Sequence, residues 1–199
     1  VLPADKGSFV LLDAGANTEC RPDMFVQFAV MGSAYMEKVM GIKKPKVALL
    51  NIGAEETKGR ELEIEAYKLL EKSGLNFAGN IEARDMPKGE VQVVVTDGFT
   101  GNIALKLYEG MGSFFSKKVK WIFSGTGKIG AMFSLGKIKA FRKKMDYKEV
   151  GGSALLGVKK PVIKAHGSSD GTAFFNAVRQ AQKCVKTDVS GVIEKYALQ

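Results

Sequence analysis

Four times along this chain an apolar run breaks into a short polar loop containing glycine, and a helix-like pattern takes over. Residues 9–12 run into Asp13-Ala14-Gly15-Ala16-Asn17, with a helix starting at Pro22. Residues 47–50 run into Asn51-Ile52-Gly53-Ala54-Glu55-Glu56-Thr57-Lys58-Gly59, and residues 91–95 into Thr96-Asp97-Gly98-Phe99-Thr100-Gly101-Asn102. Residues 162–165 run into His166-Gly167-Ser168-Ser169-Asp170. The apolar runs do not alternate cleanly with polar residues, the pattern of strands covered on both faces in a parallel sheet. Strand–loop–helix units of this kind specify an α/β fold, a mainly parallel sheet between helical layers. Ligands of open α/β sheets bind outside the carboxyl ends of the strands, so the four loops are expected to gather into one site there.

The fourth loop carries the only histidine, His166. It places an imidazole, two hydroxyls (Ser168 and Ser169) and free backbone N–H groups at a strand end. The following helix would turn its positive dipole end toward them. Such a loop suits an anion, phosphate above all. It equally suits an ordinary strand-to-helix connection with a serine cap.

At 199 residues the chain is long enough for one α/β domain with a core that needs no disulfide support. Cys20 and Cys184 lie far apart and have no metal-like spacing, so no metal site is expected and both read as free thiols of a reducing cytoplasm. No apolar stretch is long enough for a transmembrane helix or a signal peptide. The start, Val1-Leu2-Pro3, reads as a piece of a longer protein or a processed chain.

The net charge of +9 is local. Between Met111 and Met145 there are nine basic residues and no acid, while the rest of the chain holds 21 of each sign. Helices are expected over 22–40 and 60–72, with a short strand over 76–79. A further helix is expected from near Asn102, with the apolar stripe Ala104, Tyr108, Met111, Phe115, Val119 and Ile122. The sequence breaks at Ser124-Gly125-Thr126-Gly127 and resumes as a second basic segment over 129–145, so residues 102–146 read as a helical hairpin insertion. Lys117, Lys118 and Lys120 beside Trp121, Ile122 and Phe123 admit a solvated basic helix, a membrane-surface element or a nucleic-acid contact. No nucleic-acid motif accompanies them, so nucleic acid is not expected as a partner. The stripe from Tyr108 to Ile122 is expected to pack within the protein, leaving residues 121–133 near the tip for lipid.

Taken together, these segments resemble the bacterial phosphate acyltransferase family of phospholipid synthesis, PlsX. The carrying residues are 10–17, 27–33, 50–59, 96–102, 147–158 and 164–170, in the family's order along nearly the whole chain. A fainter similarity to phosphate acetyltransferases runs through Thr57-Lys58-Gly59 and Lys160-Pro161-Val162. One departure is large: the family's additional N-terminal region, with its glycine-rich loops, is not in this sequence. The resemblance implies transfer of a long acyl group from acyl carrier protein to inorganic phosphate, giving acyl phosphate. It also implies a fold like isopropylmalate and isocitrate dehydrogenases, a homodimer, peripheral attachment to the inner face of the membrane, and no metal or organic cofactor.

Phosphate is itself a nucleophile, so this chemistry needs no catalytic serine or cysteine, only orientation and donors for the developing oxyanion. Lys58 with Gly53, Thr57 and Gly59 are candidates for phosphate, together with Asn17, Gly98 and Gly101 for substrate. His166, Asn102, Ser168 and Ser169 are candidates for the thioester oxygen or the leaving thiolate. Asp13 and Asp97 are expected to fix loops rather than act as bases, and Glu55 and Glu56 to position Lys58. Cys20, just before a helix start, has a setting that lowers a thiol pKa, yet both cysteines are expected to be dispensable. A catalytically incomplete membrane- or carrier-docking fragment and an oxidoreductase on the same fold stay open as alternatives; the second would want a nucleotide site and a metal-binding acidic cluster.

Overall fold

The structure is a computed structural model that describes residues 1–123, 136, 152–165, 167 and 169–197. Its elements run β1 (Leu2–Ala4), β2 (Gly7–Leu12), α1 (Pro22–Lys38), β3 (Val47–Asn51), α2 (Glu61–Glu71), β4 (Phe77–Glu82) and β5 (Val93–Val95). They continue with α3 (Gly98–Ile122), β6 (Ser153–Leu155), β7 (Val162–Lys164), α4 (Gly171–Lys186) and α5 (Val189–Ala197). A five-stranded sheet has the order β1-β2-β5-β3-β4. Strands β2, β5, β3 and β4 pair in parallel, and β1 folds back antiparallel on β2 as an edge.

Side-chain parity along the strands divides the core in two. Val10, Val47, Leu49, Val93 and Val95 pack with Phe25, Phe28 and Ala29 of α1, Ala66 and Leu70 of α2, and Cys184, Val189 and Ile193 of α4 and α5. Phe9, Leu11, Ala48, Leu50 and Val94 pack on the other face, under Ala104, Leu105 and Tyr108 of α3. Burial on both faces is why these strands read as unbroken apolar runs. Each of the fully buried large side chains, such as Phe9, Phe25, Met36 and Leu49, contributes about 1.5–3 kcal/mol of transfer free energy.

The chain returns from β4 to insert β5 between β2 and β3. The helices following β2 and β3 cover one face, and the helix following β5 covers the other. That parting of connections opens a crevice outside the carboxyl end of β5, the place where open α/β sheets bind ligands.

Three expectations are corrected. The apolar run before His166 forms β7, but among the described residues β7 pairs only with β6, antiparallel, in a separate two-stranded ribbon. Of its three residues only Ile163 turns inward, while Val162 and Lys164 are exposed, so it has one buried face and not the two a central parallel strand needs. Helix α3 starts at Gly98 rather than near Asn102, because Asp97 caps it by accepting from the Thr100 N–H at 2.6 Å. The α3 stripe is covered at Ala104 and Tyr108 but not beyond, where Met111, Phe115 and Ile122 are 42%, 47% and 56% exposed. The core reaches only the first turns of this 25-residue helix. The break at 124–127, most of the second basic segment, His166 and Ser168 lie outside the described residues.

Candidate active site at the strand ends

Strands β2 and β5 continue their pairing one step past their ends. The Thr96 N–H donates to Leu12 O at 2.6 Å, and the Asp13 N–H donates to Thr96 O at 2.9 Å. Asp13 is buried there and becomes the hub of its loop. One carboxylate oxygen accepts the Gly15 and Ala16 N–H groups at 2.8 and 2.7 Å. The other accepts the Asn17 N–H at 2.8 Å and Asn17 Nδ2 at 2.7 Å. A carboxylate with four donors has its lone pairs committed, so Asp13 shapes the loop.

The first turn of α3 packs directly on that loop. The Gly98 N–H donates to Asn17 O at 3.0 Å. A Cβ at Gly98 would lie 2.3 Å from Asn17 O, and one at Gly101 would lie 1.8 Å from Asp13 O. Glycine at these two positions is thus demanded by backbone contact alone. Asn102, exposed on the same turn, sets its side chain over Gly15.

The loop between β3 and α2 is built from its own residues. Asn51 Nδ2 donates to Lys58 O at 2.9 Å, the Ile52 N–H to Asn51 Oδ1 at 2.8 Å, and the Lys58 N–H to Glu55 O at 3.1 Å. Gly59 closes it at φ +104, a conformation that favours glycine, with a hypothetical Cβ only 2.8 Å from both Asn51 Oδ1 and Glu63 Cβ. Gly53 is buried beneath the Lys58 stem, and Thr57 and Lys58 are exposed. Among the described residues Lys58 Nζ makes no ion pair, so Glu55 and Glu56 do not position it through their carboxylates. Glu55 meets Lys58 through its backbone carbonyl, which is where the loop's turn closes.

Arg60 joins the two loop systems, and the sequence reading passed it over. Its guanidinium donates to Glu63, with Nε at 3.0 and 3.1 Å from the two carboxylate oxygens, and its Nη2 also donates to Asp97. Bonding to both carboxylates holds the guanidinium charged more firmly than usual. Burial alone would raise the Asp97 carboxyl, but the Thr100 N–H, Arg60 and the Thr100 hydroxyl outweigh it, and the net shift is downward. Asp97 is therefore an ionised cap and not a base. The available signal was an arginine right after the loop and three residues before Glu63, at a helix start rich in acids.

Cys20 lies in the same cluster, its thiol pointing at Asn17 O at 3.7 Å. Burial first, and then the charges of Asp13 and Asp97, push the thiol up against the lowering hydrogen bond at Gly98. The low-pKa setting read from its place before α1 is therefore reversed, burial being the largest cause and the two carboxylates adding to it. Cys184 is buried and its thiol is also pushed up, by burial foremost.

The structure thus brings Asn17, Gly98, Gly101 and Asn102 together at one strand end, with the loop of Gly53, Thr57, Lys58 and Gly59 beside them across Arg60. Ser169 lies elsewhere in sequence, just ahead of Asp170, which caps α4 by accepting from the Ala173 N–H at 3.0 Å. Along α3, Lys117, Lys118 and Lys120 are exposed, and Lys118 Nζ sits over the Phe114 and Trp121 rings at 5.6 and 5.7 Å. Trp121 is 73% exposed and Phe123 is half-buried. Among the described residues no group of His, Cys, Asp and Glu could hold a metal ion, and no helix is long and apolar enough to cross a membrane.

Fold and loops define an open α/β protein whose polar loops meet where its helices part to opposite faces. The chain matches the family described as Fatty acid synthesis protein across residues 1–192, and it belongs to that family. It is 53% identical over 196 residues to a phosphate acyltransferase of Clostridium botulinum, covering 98% of this chain and 58% of the relative. It is 50% identical over 200 residues to a phosphate acyltransferase of Thermoanaerobacter pseudethanolicus, covering 98% and 59%. A phosphate acyltransferase of Bacillus licheniformis is 48% identical over 197 residues, covering 98% and 60%. The chain thus spans about three-fifths of the length of these relatives. The resemblance carried by the loops is borne out.

Proposed function

We propose that the protein to which this chain belongs transfers a long-chain acyl group from acyl carrier protein to inorganic phosphate, releasing acyl phosphate for phospholipid synthesis. The observation that carries this reading is the juxtaposition of the Lys58 loop and the capped start of α3 outside neighbouring strands β3 and β5. The first offers the Lys58 cation and the second the exposed amide side chain of Asn102, donors suited to a bound phosphate. A phosphate oxygen attacks the thioester carbonyl, the C–S bond breaks, and the thiolate leaves with a proton. Lys58 with the amides of Gly53 and Gly59 holds the nucleophile. Asn102, His166, Ser168 and Ser169 are assigned to the thioester oxygen or the leaving thiolate from the sequence. Neither Cys20 nor Cys184 takes the acyl group, in keeping with thiols held protonated.

The same reading includes a fold of the isopropylmalate and isocitrate dehydrogenase type, a homodimer, and a cytoplasmic protein attached peripherally to the membrane. The attachment is supported by the outer half of α3, where Phe114, Phe115, Trp121 and Ile122 are exposed beside Lys117, Lys118 and Lys120. The test is acyl phosphate formation from an acyl carrier protein thioester, with and without phosphate, on this chain and on a version of the relatives' full length. Product should require phosphate, and Lys58→Ala should raise the phosphate requirement more than the carrier requirement. Thioester cleavage by the full-length version without acyl phosphate would overturn the reading.

A further inference from the structure

The two halves of the strand-end site are held by different means. The loop of residues 13–17 and the start of α3 are sewn together through backbone: Asp13 N–H to Thr96 O, Thr96 N–H to Leu12 O, and Gly98 N–H to Asn17 O. The loop of residues 52–59 has no such stitching to them. Its hydrogen bonds among the described residues are internal or go outward to β4, where Asn80 Nδ2 donates to Glu55 O at 2.7 Å. The polar link found between the Lys58 side and the α3 side is the Arg60 guanidinium on Asp97.

That link is not needed to satisfy Asp97. Asp97 already accepts the Thr100 N–H at 2.6 Å and the Thr100 hydroxyl at 3.1 Å. Glu63 is Arg60's partner within the start of α2, taking its backbone N–H at 2.7 Å as well as its guanidinium. The Arg60 side chain is 61% exposed while those of Glu63 and Asp97 are 9% and 4% exposed, so it lies across the site's surface and fills no core space. What it adds is a bridge of fixed length, because a planar fork engages two acceptors at set angles where an ammonium would swivel.

We propose that Arg60 is a positioning residue: it clamps the Lys58 loop to the capped start of α3 and so sets the gap across which phosphate is held. The identity of the anion rests on the function proposed above; the clamp itself does not. Hydrogen exchange on this chain separates the two. In Arg60→Gln the amides of residues 52–59 should exchange about tenfold faster while α1 and the central strands keep their protection. Arg60→Lys, which keeps the charge without the fork, should fall between. Asp97→Asn keeps a capping oxygen and loosens the link from its other end, so it reads the clamp even if Arg60→Gln fails to fold. Inorganic phosphate should slow exchange of the same amides in the wild type, with a midpoint about tenfold higher in Arg60→Gln. Unchanged loop exchange in the folded variants would overturn the clamp, and a loosened loop with an unchanged phosphate midpoint would overturn its positioning role. No phosphate effect on the wild type would count against the phosphate reading, with loop exchange still deciding the clamp.

Discussion

Asp13 and Asp97 end neighbouring strands and look interchangeable as candidate bases, but each is spent on backbone and side-chain donors. Asp97→Ala removes a helix cap and strands Arg60, and should cost about 1–3 kcal/mol in chemical unfolding. The pH dependence follows from the downward shift of Asp97. A carboxylate whose folded pKa lies below its unfolded value stabilises the fold above that unfolded value, near ~3.9, and loses the contribution as pH falls through the folded one. Asp97→Asn should therefore be less stable than wild type at pH 7, with the gap closing as urea unfolding is repeated from about pH 4 downward. Cys20 gives a kinetic counterpart. With its thiol pushed up, it should react with iodoacetamide at pH 7 more slowly than a free cysteine, and Cys20→Ser should leave phosphate binding intact. The roles of these residues were partly legible: aspartates at strand ends followed by glycine announce loop fixation. Arg60 was not, because its importance lies in a contact with Asp97, 37 positions away.

Elements were read most faithfully where both of a strand's faces or a helix's full cap could be seen in local sequence. Helix α1 begins at Pro22 as expected, and α2 and β3 match to within a residue or two. Strand β7 was misplaced because three apolar-leaning residues do not say which sheet they join, and the pairing with β6 is a tertiary choice. Helix α3 poses the converse problem: its apolar residues are plain in sequence, but not which are covered. Phe99, Ile103, Leu107, Phe114 and Trp121 share one exposed face, flanked by Met111, Phe115 and Ile122. At the start of the same helix Gly101→Ala drives a methyl into Asp13 O, and should destabilise the chain by about 3 kcal/mol in a thermal melt read at its own Tm. At the far end, co-sedimentation should show tighter binding to anionic than to neutral vesicles. Reversing Lys117, Lys118 and Lys120 should abolish the difference, at about 1 kcal/mol for each cation near the surface. Equal binding to both vesicle types would leave that end of α3 to a protein contact.

For the whole molecule, repeated strand–loop–helix units were enough to read a mainly parallel α/β sheet, and the loops were enough to read the family. The insertion of β5 between β2 and β3 was not legible, since strand order depends on which faces the intervening helices cover. Nor was the open face of α4, where Phe174, Phe175, Val178 and Val185 are 62%, 65%, 55% and 64% exposed. A chain presenting that face should self-associate at micromolar concentration, and Phe174→Ser with Phe175→Ser should reduce the effect in sedimentation. The glycine contacts at 98 and 101 have a mechanical consequence. They seat the root of α3 on the 13–17 loop without an intervening side chain, and Ala104, Leu105 and Tyr108 lie against the sheet, so the helix is anchored over its first turns and cantilevered beyond Tyr108. The stretch from Tyr108 to Ile122 extends roughly 21 Å, so a tilt of about 5° at Tyr108 carries the tip roughly 2 Å. Helix α3 is thus a cantilever rooted at the site, and any tilt of its anchored turns would be carried, enlarged, to the basic end.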